Sequence, residues 1–333
     1  MVHAPDLRRS DFGAMQARRL FDRPIITADT PGADPQMRQN INGPCLLRVP
    51  DWVPSPLGRY YLYFAHHAGD HIRLAYADDL AGPWRVHAGG VLQLEDSGFE
   101  GHIASPHIHV DHERRRIHLY YHGMMTARDR GTVPPEIDER FFYTQRSRVA
   151  LSRDGLNFEV QPQLIAPAYL RVVTIHGMVY GISMPGLLCR SPDGLAVFES
   201  GPLLMGDDAR REDFFFPPGA PSIRHLAMQL DGDRLYVFCS RQGDAPEHVM
   251  LAEVDVSEPD WRRWRPGPLR TLLLPERPWE GAGLPLAPSK RGAVHEPVCQ
   301  LRDPCPFLDD DDRLYLLYTV QGEQGIALAE LRS

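Results

Sequence analysis

Apolar and polar positions alternate along this chain in short runs, and one arrangement of three such runs comes round five times. The most apolar run of each set is RYYLYFAHH (59–67), RIHLYYHG (116–123), MVYGISM (178–184), RLYVFCSR (234–241) and RLYLLYTV (313–320). Taking Tyr61, His118, Tyr180, Tyr236 and Tyr315 as equivalent gives spacings of 57, 62, 56 and 79 residues. Upstream of each lies GPCLLRV (43–49), SPHIHV (105–110), YLRVVTI (169–175), IRHLAMQL (223–230) or RDPCPFL (302–308). Downstream lies IRLAYADD (72–79), RVALSRDG (148–155), GLLCRSPDG (186–194), VMLAEVDV (249–256) or IALAEL (326–331). Runs of this length, separated by turns such as DGD (231–233) and DDDD (309–312), read as strands joined in antiparallel hairpins. Trp84, Phe158, Phe198 and Trp261 mark a fourth strand in several units.

Five repeats of a four-stranded unit describe an all-β fold, a single five-bladed β-propeller over residues 1–333. The blades fall at approximately 40–90, 100–160, 161–200, 213–266 and 295–331. The last unit stops after its third strand, so the segment Leu20–Thr27 is expected to supply the fourth and close the ring, leaving no open edge. Ser10–Arg19 reads as a short capped helix and Met124–Gln145 as a loop over one face. Two packed β-sandwiches are the alternative architecture, and the regular spacing argues against it.

Composition narrows the classes of function. The chain has 333 residues, 44 Asp and Glu against 36 Lys and Arg, and a net charge of −8, with no basic block to meet a nucleic-acid backbone. No apolar run reaches the roughly 18 residues of a membrane span, and the N-terminus lacks a signal-peptide core, so a cytoplasmic protein with no membrane partner is expected. Cys45, Cys189, Cys239, Cys299 and Cys305 are odd in number and form no CxxC pair, which points to reduced, buried thiols. The 31 prolines and 28 glycines suit many short strands joined by turns.

Topology locates a site. In a four-stranded blade, the start of the innermost strand and the loop between strands two and three share one face. That face should gather Asn42, Ser105 to His107, Arg171, Arg224, His225, Arg302 and Asp303 from strand starts. From the loops it should gather His66, His67, Asp70, His122, Arg241, Asp244, Gln321 and Glu323. Ionisable groups converging on an axis where apolar side chains would pack well are the main functional signal. Turn formation also accounts for Asp70, Asp244 and Glu323, each of which follows a glycine, and an internal ion pair for Arg302 with Asp303. Arg171, Arg224, Arg241 and Arg302 would suit a carboxylate or sulfate ligand, or would neutralise the site's own carboxylates. The 15 histidines show no HxxxH or HExxH spacing, so neither a catalytic metal nor a cofactor is required, and a structural cation in the axial channel is the favoured ion.

Arg302-Asp303-Pro304, followed by an apolar strand, an acidic turn, RLYLLYTV and GIALAEL, resembles the first blade of glycoside hydrolase family 43 and its five-bladed relatives. HIASPHIHVD (102–111) resembles that family's second-blade strand, where an Ala-Pro-Asp motif is usual. The resemblance covers about residues 40 to 331 and implies cleavage of a glycosidic bond in an axial funnel. It implies that Asp303 is the base or nucleophile. His107 stands where the family carries a second aspartate, and Asn42-Gly43-Pro44 is similar to the Asn-Asp-Pro box of invertase-type families with glycine at the carboxylate. Glycoside hydrolysis needs two carboxyl groups, about 5 Å apart for retention and roughly 6.5–9.5 Å apart for inversion. Glu296, in the connection leading to Asp303, is the preferred second group, with Asp244 and Asp70 as alternatives and His107 or His295 if the acid is a histidine. Trp52 and Trp279 are available to stack a sugar ring or to pack between blades.

The expected function is an exo-acting glycosidase on short oligosaccharides, with an acidic sugar as the case the arginines would suit. A sugar-binding propeller without hydrolysis is the alternative, and a second carboxylate within about 10 Å of Asp303 would discriminate between them. A metal-dependent lyase or isomerase would require three histidines converging on one ion.

Overall fold

The computed structural model describes residues 15–137, 144–205 and 222–332. Two short strands, β1 (Gln16–Arg19) and β2 (Ile26–Thr27), precede the first blade. That blade is β3 (Asn42–Arg48), β4 (Tyr60–Ala65), β5 (His71–Ala77) and β6 (Arg85–Val86), with β7 (Leu92–Gln93) also paired to β5. The second is β8 (Glu100–Asp111), β9 (Arg116–Met124), β10 (Gln145–Ser152) and β11 (Glu159–Val160), with β12 (Ala166–Pro167) added to β10. The third is β13 (Arg171–Ile175), β14 (Met178–Ser183), β15 (Leu187–Ser191) and β16 (Glu199–Leu203). The fourth is β17 (Ser222–Asp231), β18 (Arg234–Gln242), β19 (Val249–Asp255) and β20 (Arg270–Leu273). The fifth is β21 (Arg302–Leu308), β22 (Leu314–Val320) and β23 (Gly325–Arg332), completed by β1. Every pairing between neighbouring strands within a blade is antiparallel, as the hairpin reading predicts.

Each blade is covered on both faces by its neighbours, which is why the second strands are continuous apolar runs instead of alternating ones. All six residues of β4 are buried. Leu62, Phe64, Leu317 and Leu328 join the first and fifth blades, and Phe238, Leu251, Leu316 and Tyr318 join the fourth and fifth. The five cysteines are buried and free.

Closure of the ring differs in detail from the sequence reading. Ile26 and Thr27 do pair with β23, opposite Ile326 and Gly325. The main closing strand is β1, inside the segment read as a helix, where Gln16–Arg19 pairs with Ala329–Arg332. Residues 10–14 of that segment lie outside the described residues. Two ion pairs to buried glutamates favour strand over helix here: Arg18 bonds Glu330 on the facing strand, and Arg19 reaches Glu280, which is fully buried and also accepts from the Tyr318 hydroxyl. Trp261 likewise is not in a strand; it sits in a short 3-10 helix with its ring against Tyr180, and the fourth strand of that blade is Arg270–Leu273.

One device recurs at the axis. The inner strands β3, β8, β17 and β21 each break register between residues 42/45, 104/107, 224/227 and 302/305. At each break one residue adopts the left-handed region: Gly43 (φ 61), Ser105 (φ 53), His225 (φ 54) and Asp303 (φ 49); Tyr169 (φ 65), just before β13, does the same in the third blade. A bulge with one left-handed residue re-aims a side chain, and four such bulges together with Tyr169 set five left-handed residues around one axis, four of which carry side chains.

Candidate active site

The axial pocket has a volume of about 230 Å³. Its lining includes Ser105, Tyr169, His225 and Asp303 of the left-handed ring, together with Asn42, His67, His102, His122, Gln145, Ser222, Arg224, Gln242 and Arg291. Asp303 is 1% exposed. Its Oδ1 accepts from the Tyr169 hydroxyl at 2.6 Å, and His225 Nε2 lies 3.8 Å from the same oxygen. Its Oδ2 is buried and has no protein partner, as are Asn42 Oδ1 and His122 Nδ1. Buried polar atoms left without partners cost about 1–3 kcal/mol each, and these three belong to residues that line the pocket.

Behind this wall lies a buried ionic network. Arg224 grips Glu247 with two nitrogens, and Ser240 Oγ donates to Glu247 Oε1 at 2.7 Å. Arg302, fully buried, stands 3.4 Å from Glu247 and 3.0 Å from Glu323, and it also bonds Gln300. Glu323 further accepts from Asn40 and from the Val294 amide, and His67 Nδ1 lies 3.4 Å away. Burial opposes ionisation of Glu247, but Arg224 and Arg302 outweigh it and hold the carboxyl well below the usual range. Burial likewise opposes ionisation of Glu323, and the His67 contact, Arg302 and Asn40 overcome it. Both are therefore carboxylates at neutral pH, committed to cations and outside the pocket lining.

Two pocket histidines, His122 and His225, are held neutral. Burial, reinforced by Arg224 and Arg302 and opposed by Asp303 and Glu247, pushes His225 down to about 4. Burial also pushes His122 well down, with His102, His67 and Arg171 adding to the effect. Ser240 Oγ, which gives its proton to Glu247, lies 3.0 Å from His225 Nδ1 and can only accept from it, so the ring proton sits on Nδ1 and Nε2 presents a lone pair beside Asp303.

The structure brings Asn42, His67, His122, Arg224, His225 and Asp303 together on the pocket. It places the other sequence candidates elsewhere. Arg171 lies below the left-handed ring, bonded to the Ser105 and Pro106 carbonyls with its guanidinium 4.9 Å from the Tyr169 ring centre. His107 is also below, near Cys45 Sγ and with Nε2 3.1 Å from the Val172 carbonyl. Arg302 is in the network behind the wall. Glu296 is exposed on its loop and does not line the pocket. Asp244 is bound to Arg241 at 2.8 Å, and Asp70 to His71 at 2.6 Å, both off the lining. His66 receives the Ala68 amide and shapes its own turn. Trp52 and Trp279 pack between blades. Among the described residues, Asp303 is the carboxylate that lines the pocket, and no group of three or more His, Cys, Asp or Glu side chains is arranged to hold a metal. No described helix is long and apolar enough to cross a membrane.

Two participants escaped the sequence reading, Tyr169 and Glu247. Aligning the inner strands on their left-handed residues sets Tyr169 level with Asp303 and His225, while Arg171 falls level with Cys305 and Ala227. For Glu247 the signal was two arginines at strand starts: Arg224 had no partner assigned, and Arg302, expected to pair with Asp303, pairs instead with Glu247 and Glu323.

Comparison with known proteins agrees with this architecture. No protein-family model matches the chain. The uncharacterized protein R118 of Acanthamoeba polyphaga mimivirus is 36% identical over 312 residues, which are 88% of this chain and 83% of that protein. Among solved structures, CoXyl43, a family-43 β-xylosidase/α-arabinofuranosidase from a compost metagenome crystallised with xylotriose, superposes with a TM-score of 0.57 at 13% identity, over 95% of each chain. A family-43 enzyme of Xanthomonas citri gives 0.56 at 12% identity, over 93% of this chain and 88% of that one. An exo-1,5-α-L-arabinanase from a bovine ruminal metagenome gives 0.53 at 12% identity, over 88% and 92%. The chain thus belongs to the same protein family as mimivirus protein R118, and it carries the five-bladed propeller fold of the family-43 glycoside hydrolases.

Proposed function

We propose that the protein is an exo-acting glycosidase that takes the terminal, uncharged sugar of a short oligosaccharide into the axial pocket, with Asp303 as the reacting carboxylate. The observation that carries this reading is the Asp303 side chain itself, which lines the pocket with one oxygen held by Tyr169 and the other buried and unpartnered. A glycosidase needs such a carboxylate, fixed in direction and desolvated, beside the anomeric carbon.

The sugar assignment follows from the wall chemistry. Asn42 Oδ1, His122 Nδ1 and His225 Nε2 are neutral groups able to meet hydroxyls, and the pocket is small enough for a single ring. Three of the four arginines that suggested an acidic sugar are spent within the protein: Arg171 on carbonyls, Arg224 on Glu247, and Arg302 on Glu323 and Gln300. Arg241 is bound to Asp244. Oligosaccharide binding by family-43 enzymes such as CoXyl43, crystallised with xylotriose, supports the same class of ligand.

One observation favours a second reading, a sugar-binding propeller without hydrolysis. Gly43 occupies a left-handed axial position without a side chain, and Asp303 is the lone carboxylate of the described lining. The test is a screen of aryl glycosides and of neutral and uronic-acid oligosaccharides, reading released sugar. Release of one neutral monosaccharide from chain ends supports the proposal. Preference for uronic acids would overturn the sugar assignment, and binding without release would transfer the case to the second reading.

A further inference from the structure

Among the described residues one carboxylate lines the pocket, and the residue in contact with it is a tyrosine. Resting on the glycosidase reading above, we propose that Tyr169 is the covalent nucleophile and that Asp303 is its acid–base partner.

The geometry is that of an activated nucleophile. A nucleophile and its base lie within roughly 2.6–3.2 Å. Tyr169 Oη donates to Asp303 Oδ1 at 2.6 Å, and His225 flanks the same carboxylate. Tyr169 lines the pocket and is held at φ 65, a left-handed conformation that a bulky aromatic residue adopts only at a cost. The strain brings its hydroxyl to the level of Asp303, whereas Arg171, two residues on, falls beneath. The Arg171 guanidinium lies 4.9 Å from the centre of the Tyr169 ring, where it stabilises negative charge developing on the phenol oxygen. Burial and Asp303 keep the phenol protonated at rest, with Arg171 pulling the other way, so attack is coupled to proton transfer.

The steps balance with a single carboxylate. In the first, Tyr169 Oη bonds to the anomeric carbon while its proton passes to Asp303. The bond from that carbon to the leaving oxygen breaks, and the leaving oxygen keeps the electron pair and takes the proton from Asp303. In the second, water attacks the anomeric carbon and gives a proton to Asp303. The bond to Oη breaks, Oη keeps the pair, and Asp303 returns the proton to it. Two inversions at one carbon retain the anomeric configuration.

The test uses the full chain and the sugar named by the release screen, as its 2,4-dinitrophenyl 2-deoxy-2-fluoro glycoside, whose fluorine slows the second step. Peptide mapping should find the sugar on Tyr169, and NMR of the natural reaction should show retained configuration. Tyr169→Phe should lower kcat about 10³-fold or more, with KM changed less than ten-fold and circular dichroism unchanged. An adduct on Asp303, no adduct at all, inverted product, or a Tyr169→Phe enzyme within ten-fold of wild type would each overturn the proposal while leaving the glycosidase reading standing. Absence of sugar release by wild type would remove both.

Discussion

Replacing Arg302 with methionine tests the buried network that holds the pocket wall. Arg302 is fully buried between two fully buried carboxylates, 3.0 Å from Glu323 and 3.4 Å from Glu247. Methionine fills much of the volume and removes the charge. Glu247 keeps its two-nitrogen grip from Arg224, so its loss is partial. Glu323 is left with His67, Asn40 and one backbone amide. Leaving a buried charge without its partner costs about 3–5 kcal/mol, a large fraction of the roughly 5–15 kcal/mol that holds a domain together. Urea unfolding at pH 7 should show that deficit, with the m-value unchanged.

The pH dependence supplies the sign. In wild type both glutamates have lowered folded values, so their contribution is present above the unfolded value of about 4.3 and is lost as pH falls through the folded one. Without Arg302, Glu323 loses one of the contacts that offset burial, so its folded value rises toward the unfolded one and the folded state takes up its proton at a higher pH than in wild type. The deficit of Arg302→Met should therefore hold from pH 7 downward and shrink as pH falls toward and below the unfolded value of about 4.3, and Glu323→Gln added to it should restore part of the loss. A deficit below about 1 kcal/mol, or one that widens on acidification, would refute the reasoning.

Other consequences follow from single positions. Gly43→Ala places a Cβ 3.2 Å from the Ser105 Cα at a φ of 61, so it should destabilise by about 1–2 kcal/mol in thermal unfolding, and an unchanged Tm would contradict the left-handed geometry. His225 should stay neutral to about pH 4 in ¹⁵N spectra of histidine-labelled protein, with its proton on Nδ1. Because the unfolded ring binds its proton near pH 6.5, acidification from there to about pH 4 costs stability, and a folded His225 titrating near 6.5 would overturn the assignment.

The repeated strands were legible because blade formation rests on local patterning: each hairpin shows as a dense apolar run, a turn and another run. The N-terminal closure was not, because Gln16–Arg19 carries no strand pattern of its own and becomes a strand only by pairing with β23. Asp303, His225, Arg224 and Asn42 were legible as axial residues because each sits at the start of an inner strand. Tyr169 was hidden by a register ambiguity: Arg171 mimics Arg224 and Arg302 in sequence but lies three positions further along the strand. Glu296 and Asp244 were attractive as carboxylates near the axis in chain order, but loop conformation, which sequence pattern does not encode, turns them away from the pocket. Glu247 shows the converse, a buried glutamate in an ordinary inter-strand loop whose role comes from two arginines distant in sequence.

The central claim is that Asp303 performs chemistry on a sugar held in the axial pocket. The most direct measurement is kcat/KM and sugar affinity for wild type and Asp303→Asn side by side, on the sugar found in the release screen. The account predicts that kcat/KM falls by about 10³-fold or more while the dissociation constant of the released monosaccharide changes by less than about ten-fold. Equal turnover in the two proteins would contradict it.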